Sequence, residues 1–188
     1  MKKIFFLFII ICGCSTSKNN HEGHKSHSNK NTNSSEILSP QSVAMAMVGG
    51  AHIHIDYSSP SVRDRIIFGG LLAYNQVWQS GAHNATWIET DYDLNINGNK
   101  LDKGRYGFFT IPKKDTWTII FNKNWKQHGK DDYDENEDVF RFEVTPTLLP
   151  EIVESLRYEV KKVNERRGSI SLAWEKIKIS FTFDVIKE

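Results

Sequence analysis

His52 and His54, followed by Asp56, are the first residues in this chain whose types and spacing suit chemistry. On a β-strand, residues two apart project to the same face, so two imidazoles and a carboxylate would stand in one row. Such donors suit zinc, copper or non-haem iron. Closing the site takes a further ligand from elsewhere, and His83 is the candidate. Without it, the row is the polar face of a half-buried strand. A second group, His21, His24 and His27, lies in the run His-Glu-Gly-His-Lys-Ser-His. There a flexible chain could wrap a copper, nickel or zinc ion, the alternative being a soluble spacer. Zinc or copper is thus the cofactor the sequence admits, and nothing in it requires one.

Other chemistry is thinner. Asp132, Asp134 and Asn136 fall at the first three odd positions of a calcium loop, and Glu143 falls at its twelfth. The sixth position holds Glu137 where the sharp turn needs glycine, so a solvated acidic loop is expected. No Gly-x-Ser-x-Gly elbow and no phosphate loop occurs, and His83 and His128 have no nucleophile assigned to them by spacing. The reading therefore leans away from an enzyme. With 24 Lys plus Arg against 23 Asp plus Glu, no charge excess steers the chain toward nucleic acid.

The N-terminus reads as an address. Lys2 and Lys3 precede an unbroken apolar run, Ile4 to Ile11, and Ile11-Cys12-Gly13-Cys14 closes it. The run is shorter than the about 20 apolar residues that span a bilayer and has signal-peptide layout. Its last four residues resemble a bacterial lipobox, with Cys14 as the lipidated residue. Residues 1–13 are then a lipoprotein signal peptide, and 14–36 a disordered, histidine-bearing tether. The implied partner is a membrane, reached through the lipid anchor, and the implied location is the bacterial cell envelope, facing periplasm or exterior. Both cysteines are accounted for this way, so the folded part must be held by packing alone.

Residues 37–188 form the domain. Ala51, Ile53, Ile55 and Tyr57 alternate with His52, His54 and Asp56, and similar runs recur at 86–90, 105–111, 116–122, 139–144, 156–163, 169–174 and 177–185. Turn chemistry separates them, with Asn97-Gly98 the strongest hairpin signal. The expectation is all-β: a single antiparallel β-sandwich, jelly-roll-like or barrel-like, with one long loop excursion from Ser58 to Ala85. A helical turn is expected at 71–78 within that excursion.

The excursion carries a family resemblance. Asp56-Tyr57-Ser58-Ser59-Pro60-Ser61-Val62-Arg63-Asp64-Arg65 through Leu71, and Tyr74-Asn75-Gln76-Val77-Trp78-Gln79-Ser80-Gly81 through Thr86, resemble the signature of the domain of unknown function 2911 (DUF2911). Gly104 to Pro112, Trp117 to Asn122 and Asp138 to Arg141 fit the same pattern. The resemblance implies a secreted or lipid-anchored bacterial protein without an assigned activity. The pattern would have arginine at Ser59 and Gln79, proline at Ala73 and asparagine at His83, while Arg63 and Arg65 remain. An arginine-lined anion pocket would lack two of its forks here.

The leading functional expectation is a non-catalytic module binding a small ligand or glycan beside the excursion. Tyr57, Tyr74 and Trp78 would line the pocket, Phe68-Gly69-Gly70 would shape it, and Arg63, Arg65 and His83 would orient polar groups. One alternative is metal handling through His52, His54, His83 and the tail histidines. The other is a structural or assembly component of the envelope.

Overall fold

A computed structural model describes residues 38–187. Cys14, His21, His24 and His27, with the segments 1–13 and 14–36 expected to be signal peptide and tether, lie outside the described residues. The described residues form ten strands: β1 (Gln41–Val48), β2 (Ala51–Ser58), β3 (Trp87–Thr90), β4 (Leu94–Ile96), β5 (Asn99–Leu101), β6 (Gly104–Pro112), β7 (Trp117–Asn122), β8 (Asp138–Val144), β9 (Thr147–Lys162) and β10 (Arg167–Val185). Two antiparallel sheets result, ordered β1-β2-β3-β6-β7-β8 and β5-β4-β10-β9. Their inner faces form one core, so the fold is a β-sandwich. The barrel-like alternative is corrected, because neither sheet closes on itself: each keeps two edge strands.

Alternation builds the core. Ile53, Ile55 and Tyr57 from β2, Ile88 from β3, Phe108 from β6, Trp117 and Phe121 from β7, and Ile170, Leu172, Trp174, Phe181 and Phe183 from β10 are all buried. The rings pack edge to face: Phe108 on Phe121 at 5.6 Å between centroids, and Phe142 on Phe181 at 5.3 Å.

Three elements depart from expectation. β1 escapes an alternation search because both its faces are apolar: Ala44, Ala46 and Val48 point inward, while Val43, Met45 and Met47 are exposed. The two strands expected at 169–174 and 177–185 are one, β10, interrupted where Glu175 has φ 53° and the register with β9 shifts. The helical turn expected at 71–78 is absent. Asn75 has φ 60°, and the chain instead bridges Trp78 to Thr110.

The excursion between β2 and β3 lies outside both ladders but is tied to them. Val62 donates its amide to the Glu154 carbonyl, Leu156 to the Pro60 carbonyl, and Trp78 and Thr110 exchange amide bonds. A second small core forms where it crosses the outer side of β6 and β7: Ala85, Phe109 and Ile120, with Val77, Ile111 and Tyr133 packed on them. The outer side of β1, β2 and β3 carries no such cluster. The boundary between the two halves is where functional side chains collect.

Candidate functional site

Several residues expected to line a pocket are used by the fold. Trp78 is buried: its indole N–H donates to the Gly81 carbonyl at 3.0 Å, and its ring packs against Trp174, Trp117 and Phe68. Tyr57 is buried with its ring 4.7 Å from Tyr158 and its hydroxyl accepting the Tyr158 amide. Tyr74 is half-buried over Gly69, where a Cβ would come within 2.7 Å of its ring. Phe68 points into the same aromatic core. Arg65 spends its guanidinium on the carbonyls of Val62 and Ser61, closing its own loop. Arg63 is exposed at φ 48°, its amide donated to Glu154. His83 is exposed at φ 59°, and its carbonyl accepts the Gly129 amide. Of the positions where the family pattern has arginine, Ser59 is buried and donates to the Leu156 carbonyl, and Gln79 is half-buried. These side chains are not gathered on one open surface.

His52 and His54 stand on the outer face of β2 as the alternation requires, with ring centroids 5.9 Å apart. Asp56 shares that face, but its carboxylate accepts from Gln41 at 2.6 Å. Among the described residues, no three His, Cys, Asp or Glu side chains converge in a metal-holding group, and His83 does not join the pair. The acidic loop is self-satisfied: Asp138 accepts from Asn122, Tyr133 and Arg141, Asp134 caps the 3₁₀ turn at Glu135–Glu137, and Glu143 lies on β8 against Lys113. Burial, with the Asp138 charge beside it, holds the Tyr133 phenol well above its ordinary range.

What the register does assemble is a row across three strands. His54, Glu89 and Arg105 are successive cross-strand neighbours on β2, β3 and β6, and Trp87 and Gly107 fill the adjacent row. The His54 ring stacks on Trp87 at 5.0 Å and 9°. Arg105 lays its guanidinium over Trp87 at 4.0 Å and over Trp125 at 4.5 Å, and its Nη2 meets Glu89 at 2.8 Å. Gly107 makes this possible. A Cβ there would meet the Asn124 carbonyl oxygen at 3.0 Å and the Trp125 Cα at 3.3 Å, so only a glycine lets that loop lie on the sheet.

Beside the two indoles is an open hollow of about 290 Å³, lined by Asn84, Ala85, Trp87, Trp125, Lys126, Gln127 and His128. It lies at the end of the excursion, near the lower limit of small-ligand sites. Gln127 is buried, and its amide nitrogen donates to the Asn124 carbonyl at 2.7 Å, which fixes the amide's orientation. Its Oε1 is buried without a hydrogen-bond partner. Buried acceptors are rarely left unpaired. A larger hollow, about 620 Å³, runs along residues 149–157 beside Tyr57 and Ser59. It is walled mainly by one strand, and among its side chains Glu154 and Ser59 are already bonded. The smaller hollow has the better chemistry.

The sequence alone singles out none of Trp87, Arg105, Trp125 and Gln127 as site residues. The available signal was Gly107, a glycine inside a strand, which marks close approach of another backbone.

Residues 39–183 match the model of a family described as Protein of unknown function (DUF2911). No curated protein matches, and no solved structure does.

Proposed function

The chain belongs to the DUF2911 family, and we propose that it is a non-catalytic binding module that takes a polyhydroxylated small ligand, a glycan fragment, in the hollow beside Trp87 and Trp125. The observation that carries this reading is the pair of half-buried indoles, Trp87 and Trp125, edging an open hollow that the polar side chains of Asn84, Lys126 and His128 also line. A sugar offers C–H faces for aromatic rings and hydroxyls for exposed polar side chains. Asn84, Lys126 and His128 line the same hollow and supply further polar contacts. Arg105 is held between the indoles and by Glu89, so it fixes the spacing of the rings before any ligand arrives.

The reading also places the domain at the bacterial cell envelope, anchored through lipidated Cys14 on the tether of residues 14–36. Lys2, Lys3, the Ile4 to Ile11 run and the Ile11-Cys12-Gly13-Cys14 ending support it. A tethered, lipid-held domain would sample soluble envelope fragments rather than the bilayer itself.

The test is calorimetric titration of soluble oligosaccharides (β-1,4-glucans, chitooligosaccharides and muropeptides) into the full chain and into its Trp125→Ala variant. One class should bind, and Trp125→Ala should weaken it about tenfold, equivalent to about 1.4 kcal/mol. No binding, or binding that Trp125→Ala leaves unchanged, overturns the proposal.

A further inference from the structure

We propose that the outer face of the β1–β2 hairpin is a site for a soft monovalent cation of the Cu(I) type, held by the thioethers of Met45 and Met47 and the imidazoles of His52 and His54. The register carries it. Met45 lies opposite His54, and Met47 lies opposite His52. All four are on the outward face, the methionines being 59% and 58% exposed.

The pairing is of the closer kind. Gly49 and Gly50, at φ 61° and 95°, make a two-residue turn in the left-handed region, which sets the register. The His52 amide does not donate to β1 but to Asp91 Oδ1 on its other side, at 2.7 Å. Met47 and His52 are therefore a non-hydrogen-bonded pair, and by alternation Met45 and His54 are another. In such pairs the Cα atoms are about 4.5 Å apart and the side chains nearest. Imidazoles sharing one ion place each ring centre about 3.2 Å from it, so centroids lie within about 6.4 Å of each other. The observed 5.9 Å already meets that limit.

The donor set selects the ion. Thioether and imidazole are neutral, and soft thioethers favour Cu(I) over zinc or calcium. The nearby carboxylates are engaged: Asp56 with Gln41, Glu89 with Arg105, and Asp91 with the His52 amide. A divalent ion would therefore find little charge compensation. The chain has three methionines, and apart from Met1 both stand on this face. This site adjoins the hollow through Trp87, on which His54 stacks, but shares no donor with it.

The experiment uses the full chain with Cys12 and Cys14 replaced by serine and His21, His24 and His27 by asparagine, which removes the thiol and imidazole donors of the N-terminal segment, labelled with ¹³C at the methionine methyls. Ag(I), a redox-inert stand-in for Cu(I), should shift both Met45 and Met47 methyl signals to saturation at one equivalent, while Zn²⁺ leaves them in place. Cu(I) affinity, read by anaerobic competition with a chromophoric chelator, should fall at least tenfold in M45L/M47L. The leucines sit at exposed positions, and an unchanged amide spectrum checks the fold. Unmoved methyl signals at one equivalent of Ag(I), or Cu(I) affinity within twofold of the parent in M45L/M47L, overturns the proposal.

Discussion

Replacing Arg105 with methionine tests whether the indole–guanidinium stack organises the outer face. Methionine keeps an unbranched stem of similar reach but loses the charge, the planar fork and the Glu89 contact. The guanidinium sits 4.0 and 4.5 Å from two indole centroids, and each such contact at a partly exposed site is worth about 0.5–1 kcal/mol. The Glu89 pair is 32% and 44% exposed, so it adds only about 0.2–1 kcal/mol. Together, Arg105→Met should cost about 1–3 kcal/mol. In urea, with a slope of about 2 kcal/mol/M, the midpoint should fall by about 0.5–1.5 M. Arg105→Lys separates the parts: it retains charge but not the planar stack, so it should recover less than half the loss. Added salt should narrow the gap only by the Glu89 share. A midpoint for Arg105→Met within about 0.2 M of the parent, about 0.4 kcal/mol at that slope, would refute the stack as a structural unit.

Further outcomes follow from the same geometry. Gly107→Ala pushes a Cβ against the Asn124 carbonyl and the Phe109 ring, so it should cost about 1–3 kcal/mol and shift Trp125 emission; an unchanged spectrum contradicts the close approach. Trp78→Ala should cost about 3–5 kcal/mol in urea unfolding, since its ring is in the core; a cost below about 1 kcal/mol would return Trp78 to a surface role. Burial holds the Tyr158 phenol, bonded to the Ser80 carbonyl, well above its ordinary range. The unfolded chain ionises first, so stability is full below about pH 10 and is lost above it, and Tyr158→Phe should flatten that alkaline slope. Asp184 is held below the ordinary carboxylate range by the Arg167 fork, so its contribution is present above about pH 4 and lost as pH falls through the lower folded value. Asp184→Asn should lessen the acid-induced fall in urea midpoint, and an identical acid profile would sink that assignment.

The sandwich was legible because most strands have one wet face. Ile53, Ile55 and Tyr57 against His52, His54 and Asp56 is a period-two pattern that only a strand satisfies. β1 was not legible for the opposite reason: with Val43, Met45 and Met47 outward and Ala44, Ala46 and Val48 inward, no polar phase marks it. Trp78 was misplaced because a tryptophan in a glycine-bearing loop reads as a surface ring. Only the Thr110 bridge and the Trp117–Trp174 box put it inside. The candidate site was hidden by distance along the chain. Trp87, Arg105 and Trp125 meet through strand register and a loop lying on Gly107, neither of which local sequence spacing encodes.

The most direct measurement uses the five tryptophans as internal reporters: ¹⁵N-indole spectra of the full chain titrated with the oligosaccharide class that binds in calorimetry. Trp78, Trp117 and Trp174 are in the core, whereas Trp87 and Trp125 edge the hollow. The account predicts saturable shifts at Trp87 and Trp125 with the three core indoles unmoved. Shifts confined to the core indoles, or binding that moves no indole signal at all, would contradict it.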